Sequence, residues 1–214
     1  MKLLRILLYA FLVCICLVVF TASGYWYKAT HKTTASPTEA ISARPASRLK
    51  LETKATAAKK FAVKNNYNPK FCFLIDMDLP SGQNRFFIYD LSTDSIMDAG
   101  LVTHGRCNES WLNGRKYSNQ IGSGCTSPGK YKIGKSYSGK FGLAYKLYGL
   151  DSTNNNAFKR YVVLHSHECV PENAVDPLPI CQSDGCPTVS AGFLRKLAGM
   201  IDQSPKPVLL WIYE

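Results

Sequence analysis

The chain has 214 residues, of which 46% are apolar, so it can bury one domain with a real core plus extra segments and is not disordered throughout. Its net charge of +11 is uneven: residues 1–66 hold 11 Lys/Arg and two Glu, whereas residues 67–214 hold 15 Lys/Arg and 13 Asp/Glu. The nearly neutral remainder carries no arginine-rich stripe with interleaved aromatics, which argues against a nucleic-acid partner, while the basic N-terminal part would attract anionic lipid headgroups or anionic wall polymers.

The N-terminus opens with Lys2 and Arg5, followed by an apolar run from Ile6 to Phe20, small residues to Gly24 and an aromatic edge at Tyr25, Trp26 and Tyr27. At about 1.5 Å per helical residue, such a run nearly spans a bilayer core of roughly 30 Å. Its length and aromatic edge favour an uncleaved anchor. The small residues Ala22, Ser23 and Gly24 keep a cleaved signal peptide open. Either reading exports the rest of the chain. Residues 28–47 are rich in Thr, Ala, Ser and Pro and read as a flexible tether. Residues 48–64 switch to good helix formers and predict a helix that stops before Asn65 and Asn66.

From Phe71 onward, short strand-like runs alternate with turn signals. They are FCFLIDMDL (71–79), NRFFIYDL (84–91), SIMDAGLVTHG (95–105), GKYKIGKSY (129–137), LAYKLYGL (143–150), RYVVLHSH (160–167) and PVLLWIYE (207–214). A Gly/Ser/Asn-rich loop fills 106–128. Ser190 is placed to cap a helix whose Phe193, Leu194, Leu197 and Ile201 share a face. The pattern predicts a mainly β sandwich or barrel with a few short helices, preceded by the membrane segment and linker.

The segment HSHECVPENAVDPLPICQSDGCPTVS (165–190) concentrates the chemistry. His165 and His167 fall on one face of a β-branched strand. Twenty-one residues after His165 comes Cys186, behind Gly185, which permits a sharp turn, and before Pro187, which fixes the next φ. Such a turn can present a thiol beside backbone N–H groups, and an imidazole can take the thiol's proton or stabilise the thiolate. Two other readings stay open. His165, His167 and Cys169 could form a zinc-type face, although paired C-x-x-C spacing is missing. The cysteines could instead be structural: Cys169–Cys181 would close the loop between His165 and Cys186, and Cys107–Cys125 would close the Gly-rich loop.

VVLHSH followed by QSDGCPTVS resembles the catalytic core of the L,D-transpeptidases (YkuD-like murein transpeptidases). NRFFIYDL, LVTHG, the Thr126-Ser127-Pro128-Gly129 turn, LYGLDSTNNNAFKRYVVLHS and PVLLWIYE are similar to the murein subgroup, so the resemblance covers residues 60–214. It implies a division into a signal anchor or signal peptide (1–27), a flexible basic linker with a possible helix (28–59) and a catalytic domain (60–214). It implies Cys186 as nucleophile, His165 as base, Ser166 as the neighbour that orients the histidine, and Gly185 with Cys186 as oxyanion-hole donors. Ser183 matches the motif's Ser/Thr, and His104, His167 and Asp184 are expected to contact substrate. Where the family pattern has His or Trp before Gly-Cys, this chain has Asp184, whose charge would raise the thiol pKa.

The reaction so implied is attack on the diaminopimelate–D-Ala amide of a peptidoglycan stem in the cell envelope. A thioester forms and is transferred to an amine, with no metal or organic cofactor. Water as acceptor would make the protein an L,D-carboxypeptidase. A non-catalytic wall-binding module with a degenerate site is the reading from another class.

Overall fold

The computed structural model describes residues 45–214. The anchor expected over 1–27 and the tether up to residue 44 lie outside the described residues. Among the described residues, no helix is long and apolar enough to cross a membrane.

Helix α1 runs Pro45–Lys64. Leu51, Ala55, Ala58 and Ala62 fall on one stripe and are buried. Three of these four are alanines, so the helix axis can lie close to the sheet it covers. Asn66 takes a left-handed φ of 59°, and Tyr67 N donates to Ala62 O at 2.9 Å. This is the six-to-one closure that satisfies an orphan carbonyl at a helix end.

Eight strands follow among the described residues: β1 (Phe71–Asp76), β2 (Phe86–Asp90), β3 (Ser95–Gly100), β4 (Gly129–Gly139), β5 (Gly142–Gly149), β6 (Val163–Ser166), β7 (Thr188–Val189) and β8 (Leu209–Tyr213). They form one sheet in the order β3-β2-β1-β8-β4-β5-β6-β7. β1 pairs parallel with β8, and β6 parallel with β7; the other neighbours are antiparallel. Strand alternation divides β1 between two cores. Cys72 and Leu74 point to the α1 side with Leu209 and Tyr213. Phe73 and Ile75 point to the other side with Leu210 and Ile212. Each such buried large side chain stabilises by roughly 1.5–3 kcal/mol relative to exposure.

The second core is closed by helix α2, Ala191–Asp202, with Ser190 Oγ accepting from Phe193 N. Phe193, Leu194, Leu197 and Ala198 are buried, whereas the expected Ile201 only borders the core. The Phe193 ring meets Phe86 edge-on at 5.2 Å. The expected sandwich or barrel is thus realised as one mixed sheet, and of its helices α1, at 20 residues, is long. Its two ends approach each other through extensions of β3 and β7. Thr103 N donates to Thr188 O at 3.0 Å, Ser183 N to His104 O at 2.9 Å and Arg106 N to Ser183 O at 2.8 Å. That seam carries the residues singled out from the sequence.

Candidate active site

Three pieces of chain converge. β6 ends at Ser166, and its parallel partner β7 sets Thr188 opposite His165. Cys186 sits two residues before β7, on a turn whose Gly185 has φ +103°. A Cβ built on Gly185 would lie 2.5 Å from Cys125 O, so close packing as well as backbone conformation demands glycine here. Ser183 Oγ ties the turn from inside, donating to Cys186 O at 2.7 Å and accepting from Gly185 N at 3.2 Å.

Cys186 and His165 line the same cleft of about 450 Å³ and also a smaller cavity of about 180 Å³. Phe141, at the β4–β5 hairpin, lines both as well and stacks on the His165 ring at 5.0 Å. His165 Nδ1 faces Ser166 O at 3.0 Å. A carbonyl only accepts, so Nδ1 carries the proton and Nε2 accepts from the Thr188 hydroxyl at 3.1 Å. Burial holds the His165 pKa below the usual imidazole value, against the Ser166 carbonyl, which favours the charged ring.

The sulfur of Cys186 accepts from Val163 N at 3.5 Å and faces Tyr161 O at 3.8 Å. Burial pushes the Cys186 thiol up; the Val163 N–H opposes this, the Asp184 charge adds to it and the Arg160 charge opposes it. Burial thus disfavours the charged form of both partners, the imidazolium and the thiolate. The two side chains share a cleft without a hydrogen bond between them, and the Thr188 hydroxyl and the Ser166 carbonyl occupy the two ring nitrogens.

Asp184 is exposed and its Oδ1 accepts from Arg106 Nε at 2.7 Å. The charge expected to burden the thiol thus has a cation of its own. His167 lines the cleft and its Nδ1 accepts from Cys169 N at 3.1 Å. His104 departs from expectation. Its ring is buried, faces Gly105 O at 3.3 Å and is not among the cleft-lining groups. Its contribution is the backbone carbonyl that fastens Ser183. Disulfides join Cys107 to Cys125 and Cys169 to Cys181. A bridged Cys169 has no thiolate to offer the zinc-type face, and among the described residues no group of three or more His, Cys, Asp or Glu is placed to hold a metal. Cys72 and Cys186 are free; Cys72 is buried and pushed up to about 12.

A family model described as L,D-transpeptidase catalytic domain matches residues 43–213. The chain belongs to this family. No curated protein matches it. Among solved structures it is similar to the helical cell shape determining protein Pgp2 from Campylobacter jejuni, with 15% identity, 67% of this chain and 47% of that one covered, and a TM-score of 0.42. It is also similar to an L,D-transpeptidase from Xylanimonas cellulosilytica (15% identity, 72% and 68% covered, TM-score 0.38) and to one from Mycobacterium smegmatis (11%, 68% and 59%, 0.39). The chain spans about half the length of the Pgp2 structure.

Within this L,D-transpeptidase domain, several residues around Cys186 and His165 were not singled out by sequence reasoning. Thr188 lies two residues past Cys186 on the two-residue β7, too short to show a period in the sequence. Trp111 lines the cleft from the Gly-rich loop, where Leu112 N donates to Gln182 Oε1 and Gln182 Nε2 to Leu112 O, both at 2.8 Å. Arg160 stands just before β6, and nothing in its local pattern separates it from a solvated cation.

Proposed function

We propose that this protein is a cysteine-dependent peptidoglycan L,D-transpeptidase in which Cys186 is the nucleophile and His165 its base. The observation that supports this reading best is the pair of cavities meeting at Cys186, with Phe141 between them. An acyl-transfer enzyme needs room for an acyl donor and a separate approach for an acceptor. The large cleft suits the donor stem and the smaller cavity the incoming amine.

The steps follow from the resting contacts. The Thr188 hydroxyl has a second acceptor, Cys186 O at 3.4 Å. Turning its proton there frees His165 Nε2 to take the Cys186 proton, and Nδ1–H stays on the Ser166 carbonyl to steady the imidazolium. The sulfur attacks the diaminopimelate–D-Ala carbonyl. The oxyanion is received by Cys186 N–H, since Gly185 N–H is engaged by Ser183 Oγ. His165 then protonates the departing D-Ala amine as the amide C–N bond breaks. An amine in the smaller cavity gives a proton to the now neutral His165 and attacks the thioester, the C–S bond breaks, and Cys186 leaves as thiolate to be reprotonated by His165. Asp184, Ser183 and His167 bound the donor side. On this reading the N-terminal segment anchors the domain in the cell envelope, and the tether lets it reach the wall.

The test is incubation with purified tetrapeptide muropeptides, following D-Ala release and cross-linked dimer by mass spectrometry. Wild type is expected to give both, and Cys186→Ala neither. D-Ala release without dimer would replace this reading with an L,D-carboxypeptidase. Neither product, together with an inert Cys186 thiol, would leave a wall-binding module.

A further inference from the structure

Arg160 is a half-buried guanidinium with an unusual set of partners. Nη1 donates to Ser118 O at 2.9 Å and to Ser127 Oγ; Nη2 donates to Cys125 O at 2.5 Å and Ser123 Oγ at 3.2 Å. All four acceptors are neutral oxygens of the 118–127 loop. Among the described residues no carboxylate lies within ion-pair distance of it. A cation held away from water without a counter-ion is costly, and an anion formed nearby would offset part of that cost. Arg85 is likewise held by carbonyls alone, so what sets Arg160 apart is its place beside Cys186.

The group nearest to that description is Cys186. A Cβ built on Gly185 would lie 3.2 Å from Arg160 Nη2, so the guanidinium lies against the turn that presents the sulfur. The chain just after Arg160 supplies the sulfur's two backbone contacts, Tyr161 O and Val163 N. Tyr161 itself has φ +57°, a left-handed conformation that a bulky residue seldom adopts. The 160–163 segment is therefore shaped around the sulfur.

We propose that Arg160 is a positioning residue for the nucleophile, its locked guanidinium supplying the fixed positive charge that holds Cys186 as a thiolate once His165 has taken the proton. The role is electrostatic and acts across the Gly185 turn. Burial lowers the Arg160 pKa, with Tyr131 and then Cys186 opposing, and the Arg160 charge in turn opposes the burial that raises the Cys186 thiol. Two other cations line the cavities that hold Cys186: Arg106 is paired with Asp184, and Lys140 belongs to the β4–β5 hairpin. Asp184 opposes the thiolate, and Tyr131 is a buried phenol.

This inference rests on the Cys186 assignment but is read from thiol chemistry and needs no wall substrate. The measurement is the pH dependence of carbamidomethylation, in which the Cys186 thiolate displaces iodide from iodoacetamide, followed on the Cys186 peptide of the full chain. Arg160→Met and Arg160→Gln remove the charge, Gln keeping an amide donor for Cys125 O; Arg160→Lys keeps the charge. Both charge-free variants are expected to raise the apparent thiol pKa by about one unit, which is about tenfold slower alkylation at pH 7.5, with Arg160→Lys displaced by less than half of that. A folded charge-free variant alkylated with the wild-type pH profile would overturn the proposal. Loss of folding in both charge-free variants would overturn it too, by assigning Arg160 to the fold alone. Wild-type alkylation combined with no reaction on muropeptides would instead count against the proposed function and leave Arg160's role standing.

Discussion

At the scale of single residues, the turn before β7 combines close packing with a left-handed backbone at Gly185. Gly185→Ala adds a carbon 2.5 Å from Cys125 O at a φ of +103°. The strain is expected to cost roughly 1–3 kcal/mol and to displace the sulfur, seen as a lowered urea midpoint together with slowed Cys186 alkylation. Asp184→Asn should act in the opposite sense on the thiol. Asp184 raises the Cys186 pKa, so its neutral replacement is expected to speed alkylation at pH 7 a few-fold, and an unchanged rate would show that Arg106 already cancels its charge. Cys186, Gly185 and His165 were legible in the sequence because a glycine, a thiol and a strand-end imidazole each have narrow uses. His104 misled because its strand-end position resembles that of His165, whereas its ring is buried with the distant Arg85 charge acting on it, a neighbourhood that sequence spacing does not reveal.

At the scale of elements, α2 was readable from its helical periodicity, and β1, β2 and β8 from short, nearly continuous apolar runs bounded by turn signals, since both of their faces are buried. β7 was not, because two residues carry no period and their pairing with β6 is set by tertiary contact. The same holds for the β4–β5 hairpin, where Phe141 reaches His165 through the hairpin's position and not through its own pattern. Helix α2 depends on its cap. Ser190 Oγ accepts from Phe193 N at 3.2 Å and donates to Glu172 at 2.7 Å. Ser190→Ala is expected to lower stability by about 1 kcal/mol, measured by urea denaturation, with the m-value unchanged.

At the scale of the whole molecule, two disulfides and two buried imidazoles set the conditions of stability. Cys125 contributes a carbonyl both to Arg160 and to the packing of Gly185, so the Cys107–Cys125 bridge ties the Gly-rich loop to the nucleophile's turn. Reduction of the bridges is expected to lower stability by roughly 2–4 kcal/mol each, seen as a fall in Tm under reductant. His104 and His165 have folded pKa values below their unfolded ones, both chiefly through burial. Below about pH 6.5 the unfolded chain binds more protons at these positions, so stability falls as pH drops from there toward the folded values. Denaturant midpoints at pH 7.5 and 5.5 should show the loss, and His104→Asn should reduce it.

The Phe141 ring belongs to the hairpin, whereas His165 and Cys186 belong to β6 and the turn before β7. The partition between the two cavities and the proposed chemistry are therefore inherited on separate stretches of chain. On the proposed reading, the choice of incoming amine can drift through changes at the hairpin tip while the bond that is broken stays the same.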